Sequence, residues 1–249
     1  MTIAHRFKKL ALKFGVELRR HNPAQSQDAR IARLIAHHGI DLALDVGANT
    51  GGFGSYMREI GFQGEILSFE PLKQAHTELT RVALSDERWH VAPRMALGAE
   101  DGTIELNVAG NSVSSSILPM HDAHAIAAPS SRYIGKQLVP LKRLDSISHP
   151  ALMTNRKILL KIDTQGFEMS VLQGAARLLP YIHGIQLELS LIPLYQGQPL
   201  YREIIEWLAG QGFELWNIMP GFLDESNGRL LQFDGIFFRS VGSNVYSNP

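Results

Sequence analysis

The spacing of apolar residues divides the chain into two parts. Up to about residue 40, apolar side chains recur every three or four positions, which is typical of amphipathic helices. From Asp41 onward, short apolar runs alternate with helical patterns, which indicates an α/β fold with a mostly parallel sheet and helices on both faces. The predicted strands are residues 41–46, 65–69, 88–92, 157–163, 184–189, 213–218 and 232–238. The predicted helices between them lie near residues 52–60, 72–84, 167–179 and 201–210. Only a loop separates the last two strands, so these should pair antiparallel.

The alternation is interrupted over residues 93–141, which we interpret as an insertion. Residues 95–98 are mostly apolar, and apolar and polar residues alternate over 103–108. The turn residues 99–102 between these two segments predict a β-hairpin. A serine-rich stretch at 112–116 and a polar loop up to Gln137 follow. Long irregular loops in compact domains are usually functional or disordered, and a lid on the substrate side is expected here.

Residues 1–40 form a predicted helical extension, and residues 41–249 a single domain. In the first helix, basic residues lie between the apolar ones, which are Ile3, Phe7, Leu10, Ala11, Phe14 and Leu18. Packing of this stripe on the domain or on a second subunit is the expected use, and contact with a membrane surface is the alternative. Asn22-Pro23 should break the chain before a second helix from about Ser26 to His38, with Gly39 as its C-cap.

Composition narrows the functional classes. The 249 residues carry no net charge, and the core domain has no basic stripe with interleaved aromatic residues, so nucleic acid is not expected as a partner. There is no cysteine, which excludes thiolate chemistry, and no apolar run long enough to span a bilayer. A cytoplasmic protein is expected, with attachment to the inner face of the membrane through the first helix as an option. His121, Asp122 and His124 form the only cluster in the sequence that resembles a set of metal ligands, but their spacing gives no shared helical face and no further ligands are obvious nearby, so no metal site is expected.

A glycine-rich turn follows the first predicted strand and opens a helix. Gly47 and Gly51 allow a sharp turn and close approach of a ligand. Neither a G-x-G-x-x-G dinucleotide fingerprint nor a P-loop is present, so a cofactor with an amino-acid moiety instead of a pyrophosphate fits better. Backbone amides with Asn49 or Thr50 should hold its carboxylate, and Asp45 should compensate its positive charge. Phe53 is expected beside them.

Glu70 ends the second predicted strand, where a carboxylate accepts the hydroxyls of a ribose. Pro71 and Met95 are expected to complete this part of the pocket. The alternative is that Asp45 and Glu70 simply cap their strands. Because both acids flank one glycine turn, a nucleoside pocket is the favoured interpretation, and it points to S-adenosylmethionine.

Several motifs in this order resemble the FkbM-type family of S-adenosylmethionine-dependent methyltransferases. They are Asp45–Gly51, Phe69–Pro71, Leu144–Ile147, Lys161–Glu168 and Val171–Ala175. The resemblance covers about 41–239 and is most specific at 161–175. It implies a Rossmann-like class I fold with a seven-stranded, mostly parallel sheet and an antiparallel last strand. It also implies mostly O-methylation, on sugar hydroxyls of polysaccharides or glycolipids or on macrolide-type natural products.

Methyl transfer to an alcohol calls for a positioned base or a metal, because the hydroxyl loses its proton during attack. Asp163 ends the central strand at the carboxyl edge, where sites in open α/β sheets collect, and is the favoured base. Glu188 lies in an otherwise apolar run, where a carboxylate needs a task or a partner, and it is expected at the catalytic site, hydrogen-bonded to the substrate or to the Asp163 loop. For Glu168, a catalytic role and a helix N-terminal charge are equally plausible.

Acceptor-binding residues are predicted in two places. Hydroxyls of Ser114, Ser115 and Ser116 suit sugar recognition, although serine runs are more often plain loop. Gln165 and Tyr195 are expected near the acceptor at the carboxyl edge of the sheet.

Two other classes are compatible with parts of this pattern. A nicotinamide-dependent oxidoreductase would share the fold, although the dinucleotide fingerprint is missing. A non-catalytic relative could act as a docking module for a partner or membrane through the first helix. The sequence names neither the acceptor and its hydroxyl nor the oligomeric state.

Overall fold

The computed structural model describes residues 3–16, 26–152 and 155–240, with side chains from residue 7 onward. The helices are α1 (Ile3–Lys13), α2 (Gln27–His38), α3 (Gly52–Glu59), α4 (Lys73–Ala83), α5 (Asp122–Ala127), α6 (Glu168–Gln173) and α7 (Tyr201–Gly210). The first six strands are β1 (Leu42–Val46), β2 (Glu65–Phe69), β3 (Trp89–Val91), β4 (Ala96–Leu97), β5 (Gly102–Ala109) and β6 (Tyr133–Lys142). The others are β7 (Ile158–Ile162), β8 (Ile182–Ser190), β9 (Phe213–Pro220), β10 (Leu223–Asp224), β11 (Arg229–Leu230) and β12 (Gln232–Arg239).

A seven-stranded sheet has the order β3-β2-β1-β7-β8-β12-β9. Neighbouring strands are parallel from β3 to β8, and β12 runs antiparallel to both β8 and β9. This confirms the predicted sheet and the antiparallel pairing of its last two strands. β1 and β7 are fully buried, because helices cover both faces of the sheet centre.

Two apolar clusters lie on opposite faces of this sheet. One packs residues of α6 and α7, among them Val171 and Leu208, against the sheet. The other packs residues of α2, α3 and α4, among them Ile35 and Leu79. Gly39 ends α2 in the left-handed conformation, as the sequence predicted. α6 is shorter than predicted: after Gln173 the chain continues in turns and a short 3-10 helix at Leu179–Tyr181.

The predicted hairpin in the insertion is wrong. β4 and β5 do not pair with each other, because β6 lies between them in a separate three-stranded sheet of order β4-β6-β5. β6 also replaces the end of the predicted polar loop. It gives β5 a long antiparallel partner, whereas β4 is only two residues long, and the pairing buries Leu106, Val139 and Leu141 in an apolar cluster.

The described side chains of the apolar stripe of α1 are not packed on the domain in the way one prediction held: Phe7 is 63% exposed and Phe14 is 77% exposed. The predicted break at Asn22-Pro23 lies outside the described residues. Across residues 3–16, 26–152 and 155–240, no helix is long and apolar enough to cross a membrane.

Candidate active site

A cavity lies at the carboxyl edge of β1, β2 and β7. It encloses about 670 Å3 of empty space, part of which is open to solvent. The loops after the three strands form its floor, and the insertion contributes its roof. The floor residues include Gly47, Asn49, Glu70, Pro71, Asp163, Thr164 and Gln165. The roof and side wall include Met95, Leu97, Leu106, Ser112, Val113, Ser115 and Ile117.

The turn after β1 requires glycine at its first position. Gly47 has a φ of 76°, and a Cβ built there would lie 1.9 Å from the carbonyl oxygen of Asp163. Two loops from neighbouring strands therefore touch through their main chains. A left-handed φ of 46° at Asn49 completes the turn. The close approach leaves backbone as part of the cavity floor.

Glu70 joins this turn to the loop after β2. Its Oε2 accepts the backbone N–H of Asn49 at 2.8 Å, and its Oε1 accepts that of Leu72 at 2.7 Å. Burial raises the pKa of Glu70 to about 7, although these two hydrogen bonds favour the ionised form. Each carboxylate oxygen has a further lone pair, so Glu70 can still accept hydroxyls from a ligand in the cavity.

Lys161 forms a buried ion-pair centre behind the cavity floor. Lys161 on β7 lies directly opposite Asp45 on β1. Its Nζ is 3.2 Å from Asp45 Oδ1 and 3.6 Å from Asp163 Oδ2. Nζ also donates to the carbonyl oxygen of Gly47 at 3.2 Å. Burial lowers the pKa of Lys161, but the charges of Asp45 and Asp163 outweigh it and raise the pKa overall. A permanent cation therefore holds Asp163 beside the turn.

Gln165 connects Asp163 to the neighbouring strand. Its Nε2 donates to Asp163 Oδ1 at 2.9 Å and to Glu188 Oε2 at 2.7 Å. Its Oε1 accepts the hydroxyl of Tyr195 at 2.7 Å, which fixes the orientation of the amide. Gln165 has a left-handed φ of 54°, a strained conformation that this network over-determines.

Glu188 receives a second amide, since Gln232 Nε2 donates to the same oxygen at 2.7 Å. Burial, followed by the negative charges of Asp163 and Glu168, raises its pKa well above the ordinary value. Asp234 faces Glu188 across β8 and β12, and burial raises its pKa to about 6. Glu188 therefore supports Gln165 from behind the cavity lining.

Glu168 caps the loop after β7. Its Oε1 accepts the backbone N–H groups of Thr164 at 3.0 Å and Gly166 at 3.1 Å, and the Thr164 hydroxyl at 3.3 Å. Glu168 is buried and does not line the cavity. Burial raises its pKa to about 7, although the hydrogen bonds from Thr164 and Gly166 act in the opposite direction. Glu168 is the first residue of α6 and lies outside the cavity lining, so its position fits the predicted helix N-terminal charge better than a catalytic role.

The insertion is tied to the floor by two side-chain contacts. Asn49 Nδ2 donates to Ser112 Oγ at 3.3 Å, and Ser116 Oγ donates to the carbonyl oxygen of Gln165 at 2.6 Å. Ser115 Oγ accepts the backbone N–H of Ala109 and lines the cavity. These contacts place the serine-rich stretch over the cavity, where a lid was predicted.

The predicted site residues fall into two groups. Eight of them line the cavity: Gly47, Asn49, Glu70, Pro71, Met95, Asp163, Ser115 and Gln165. The others lie outside its lining: Asp45, Thr50, Gly51, Phe53, Ser114, Ser116, Tyr195, Glu168 and Glu188. Tyr195 and Ser116 are fully buried, and their hydroxyls donate to the side-chain and backbone oxygens of Gln165, so neither is exposed at the cavity surface. Contact of any of these residues with a ligand stays a prediction.

Sequence reasoning gave no role to Lys161, Gln232 or Asp234. Lys161 and Asp234 interrupt buried apolar strands, and that signal alone could have marked them as paired or functional. Among the described residues, no group of three or more histidine, cysteine or acidic side chains is arranged to hold a metal ion.

The strand order and the cavity at the carboxyl edge define a class I methyltransferase fold. The Methyltransferase FkbM domain matches residues 45–215, and the chain belongs to this family. Membership implies S-adenosylmethionine as methyl donor, and the resemblance to the FkbM-type family is thereby confirmed.

Individual relatives are more distant. The methyltransferase sdnD of Sordaria araneosa is 31% identical over 152 residues, which cover 53% of this chain and 59% of that protein. An rRNA methylase from Streptococcus thermophilus is similar in structure with a TM-score of 0.43 and 10% identity, covering 89% of this chain and 99% of its own. The methyltransferase domain of bacterial CtHen1 gives a TM-score of 0.46 and 8% identity, covering 87% and 100%. Both TM-scores lie below 0.5, and the fold assignment rests on the strand order and the family.

Proposed function

We propose that this protein transfers a methyl group from S-adenosylmethionine to a hydroxyl of a sugar or a sugar-bearing natural product. The observation that carries the proposal is the position of Asp163. Asp163 lines the cavity with a side chain that is 38% exposed, and its backbone carbonyl lies against Gly47, in the turn expected to hold the amino-acid end of the cofactor.

The residues present fit S-adenosylmethionine. Glu70 offers carboxylate oxygens at the end of β2 for the ribose hydroxyls, and Met95, Leu97 and Ile117 provide apolar walls for a base. Backbone at Gly47 and the side chain of Asn49 lie where the amino-acid moiety is expected. Bound there, the sulfonium supplies an electrophilic methyl group.

The protein's own contribution to catalysis is alignment and proton transfer. The carboxylate of Asp163 is held from two sides, by Lys161 behind the floor and by the amide of Gln165, so it has little rotational freedom. A carboxylate fixed this way can take the proton of an attacking hydroxyl. The roof formed by Ser112, Val113 and Ser115 limits the access of water.

A hydroxyl acceptor is supported by the chemistry of the site. The carboxylate of Asp163 and the hydroxyl of Ser115 in the cavity lining are hydrogen-bonding groups suited to a polyol. An alcohol needs proton removal during attack, and a carboxylate at the cavity surface meets that need. The family resemblance points to sugar hydroxyls in the same way.

The test begins with ligand binding. Titration of the purified protein with S-adenosylmethionine and S-adenosylhomocysteine should give saturable heat of binding, and NAD(H) should give none. Mass analysis of reactions with sugars and glycolipids from the source cell should then show one added methyl group. Methylation of nitrogen in every active acceptor would contradict the O-methyl assignment, and binding of NAD(H) alone would contradict the cofactor.

A further inference from the structure

The apolar stripe of α1 has no use in the proposed function. Phe7, Leu10 and Phe14 are 63%, 52% and 77% exposed. They follow one another at intervals of three and four residues, through α1 and the turn after it, so they lie on one side. A contiguous apolar stripe facing solvent marks an interaction surface.

The charges around the stripe have a single sign. Lys8, Lys9 and Lys13 are exposed, and their positions in the helix place them off the apolar side. Residues 3–16 contain no aspartate or glutamate. A partner that covers this face should therefore be apolar in its interior and negatively charged at its surface.

An exposed apolar patch on β9 is the place where α1 of a second copy could dock, but the charged residues in the groove beside this patch are not acidic. Trp216 and Ile218 on β9 are 42% and 52% exposed, but Arg30 and Arg33 of α2 border the groove beside Trp216. Docking α1 there would bring cations against cations. An anionic lipid surface complements both the stripe and the lysines.

We infer that α1 lies in the interface of an anionic membrane. Phe7, Leu10 and Phe14 enter the boundary between headgroups and acyl chains, and the lysines contact lipid phosphates. The arrangement would hold the methyltransferase domain beside acceptors that are themselves in or on a membrane. This consequence rests on the proposed function, whereas the membrane contact does not.

The test is co-sedimentation of the full chain with vesicles. Phosphatidylcholine vesicles are compared with vesicles that also contain phosphatidylglycerol. Since each lysine near an anionic surface contributes about 1 kcal/mol, three lysines should strengthen binding to the anionic vesicles roughly a hundredfold. Raising the salt concentration should weaken this binding by screening the charges.

Two variants test whether vesicle binding depends on the apolar stripe itself or on any exposed apolar residue of α1. The double variant Phe7→Ser with Phe14→Ser should bind anionic vesicles at least about tenfold more weakly, because it removes both aromatic anchors. Leu12→Ser is the matched control, because Leu12 is 58% exposed on the other side of the helix, and it should change binding much less. Unchanged thermal unfolding of both variants would show that the fold is intact.

Two results would overturn the inference. One is vesicle binding that is absent in the native chain or equal in all variants. The other is a dimer in analytical ultracentrifugation that depends on Phe7 and Phe14, without vesicle binding, which would assign the stripe to a second copy. Neither result depends on the acceptor or the cofactor, so the proposed function is judged separately.

Discussion

Glu70 holds the glycine turn and faces the cavity with the same carboxylate. In Glu70→Gln, one amide group replaces an acceptor oxygen, so one of the two backbone N–H bonds is lost together with the charge. We expect binding of S-adenosylhomocysteine to weaken by at least about tenfold, the effect of losing one to two hydrogen bonds to a charged group. Calorimetric titration measures this. Glu78→Gln, on the exposed side of α4, is the control and should bind like the native protein.

Asp163 is the proposed base, and its replacement should separate chemistry from binding. Asp163→Asn keeps the shape and an oxygen for Gln165 but cannot accept a proton at the same position. Turnover should fall about 10²- to 10⁴-fold, the usual contribution of a general base, while affinity for S-adenosylhomocysteine changes far less. The measurement is single-turnover kinetics with the acceptor identified by mass analysis. Undiminished turnover would move the proton transfer to another group.

The individual site residues were predictable where local sequence determines their place. Glu70 and Asp163 end buried strands, and strand ends at the carboxyl edge can be inferred from apolar runs. The place of Lys161 was not predictable. The ion pair between Lys161 and Asp45 depends on the register of two strands that lie far apart in sequence. Tyr195 was placed in the right neighbourhood, but only the fold shows that its hydroxyl is buried against Gln165.

Among the elements, the turn between β1 and α3 has the least tolerance for change. Gly47→Ala would put a Cβ 1.9 Å from the carbonyl oxygen of Asp163, in a backbone conformation that alanine rarely adopts. We expect a loss of at least about 3 kcal/mol in the free energy of unfolding, as for other strained core positions. Urea denaturation measures it.

The same turn offers a matched control. Gly52 is the first residue of α3, and a Cβ there meets nothing within 4 Å. Gly52→Ala should leave stability unchanged or raise it by up to about 1 kcal/mol, because alanine has the higher helix propensity. Equal effects of the two substitutions would contradict the close contact between the loops.

The strands of the main sheet were predictable because each is a short apolar run bounded by glycine, proline or polar residues. The three-stranded sheet was not. Its turn residues 99–102 favour a hairpin locally, but β5 gains a longer partner in β6, which lies beyond the serine-rich stretch. A non-local pairing of this kind leaves no mark in a single sequence, and the prediction therefore followed the local signal.

For the whole molecule, buried carboxyl groups make stability depend on pH. Burial raises the pKa of Glu168 from the ordinary 4.5 to about 7 in the folded protein. Between these values the native state keeps a proton that the unfolded chain has lost, so the free energy of unfolding falls as pH rises through this window. Glu70 and Asp234 act in the same direction.

Glu168→Gln isolates one part of this dependence. All three hydrogen bonds to Glu168 go to Oε1, so glutamine can keep them while it removes the titrating group. Urea denaturation at about pH 4.5 and about pH 8 should show a smaller loss of stability in the variant, by up to about 3 kcal/mol. Identical losses in both proteins would show that Glu168 does not titrate in this range. Retained methyl transfer in the variant would also confirm that Glu168 is not the base.

The contact between Gly47 and the carbonyl of Asp163 has a consequence for how this enzyme can be redesigned. In the proposed function, main-chain contact fixes the turn expected to hold the donor against the backbone of Asp163, whereas the side chains of Lys161 and Gln165 orient the Asp163 carboxylate. The roof, by contrast, comes from a separate sheet and reaches the floor through the side chains of Ser112 and Ser116. Substitutions at Val113, which lines the roof and takes no part in these two contacts, should therefore shift acceptor preference without disturbing the proposed reaction geometry, whereas diversity introduced at Gly47 should yield few folded clones.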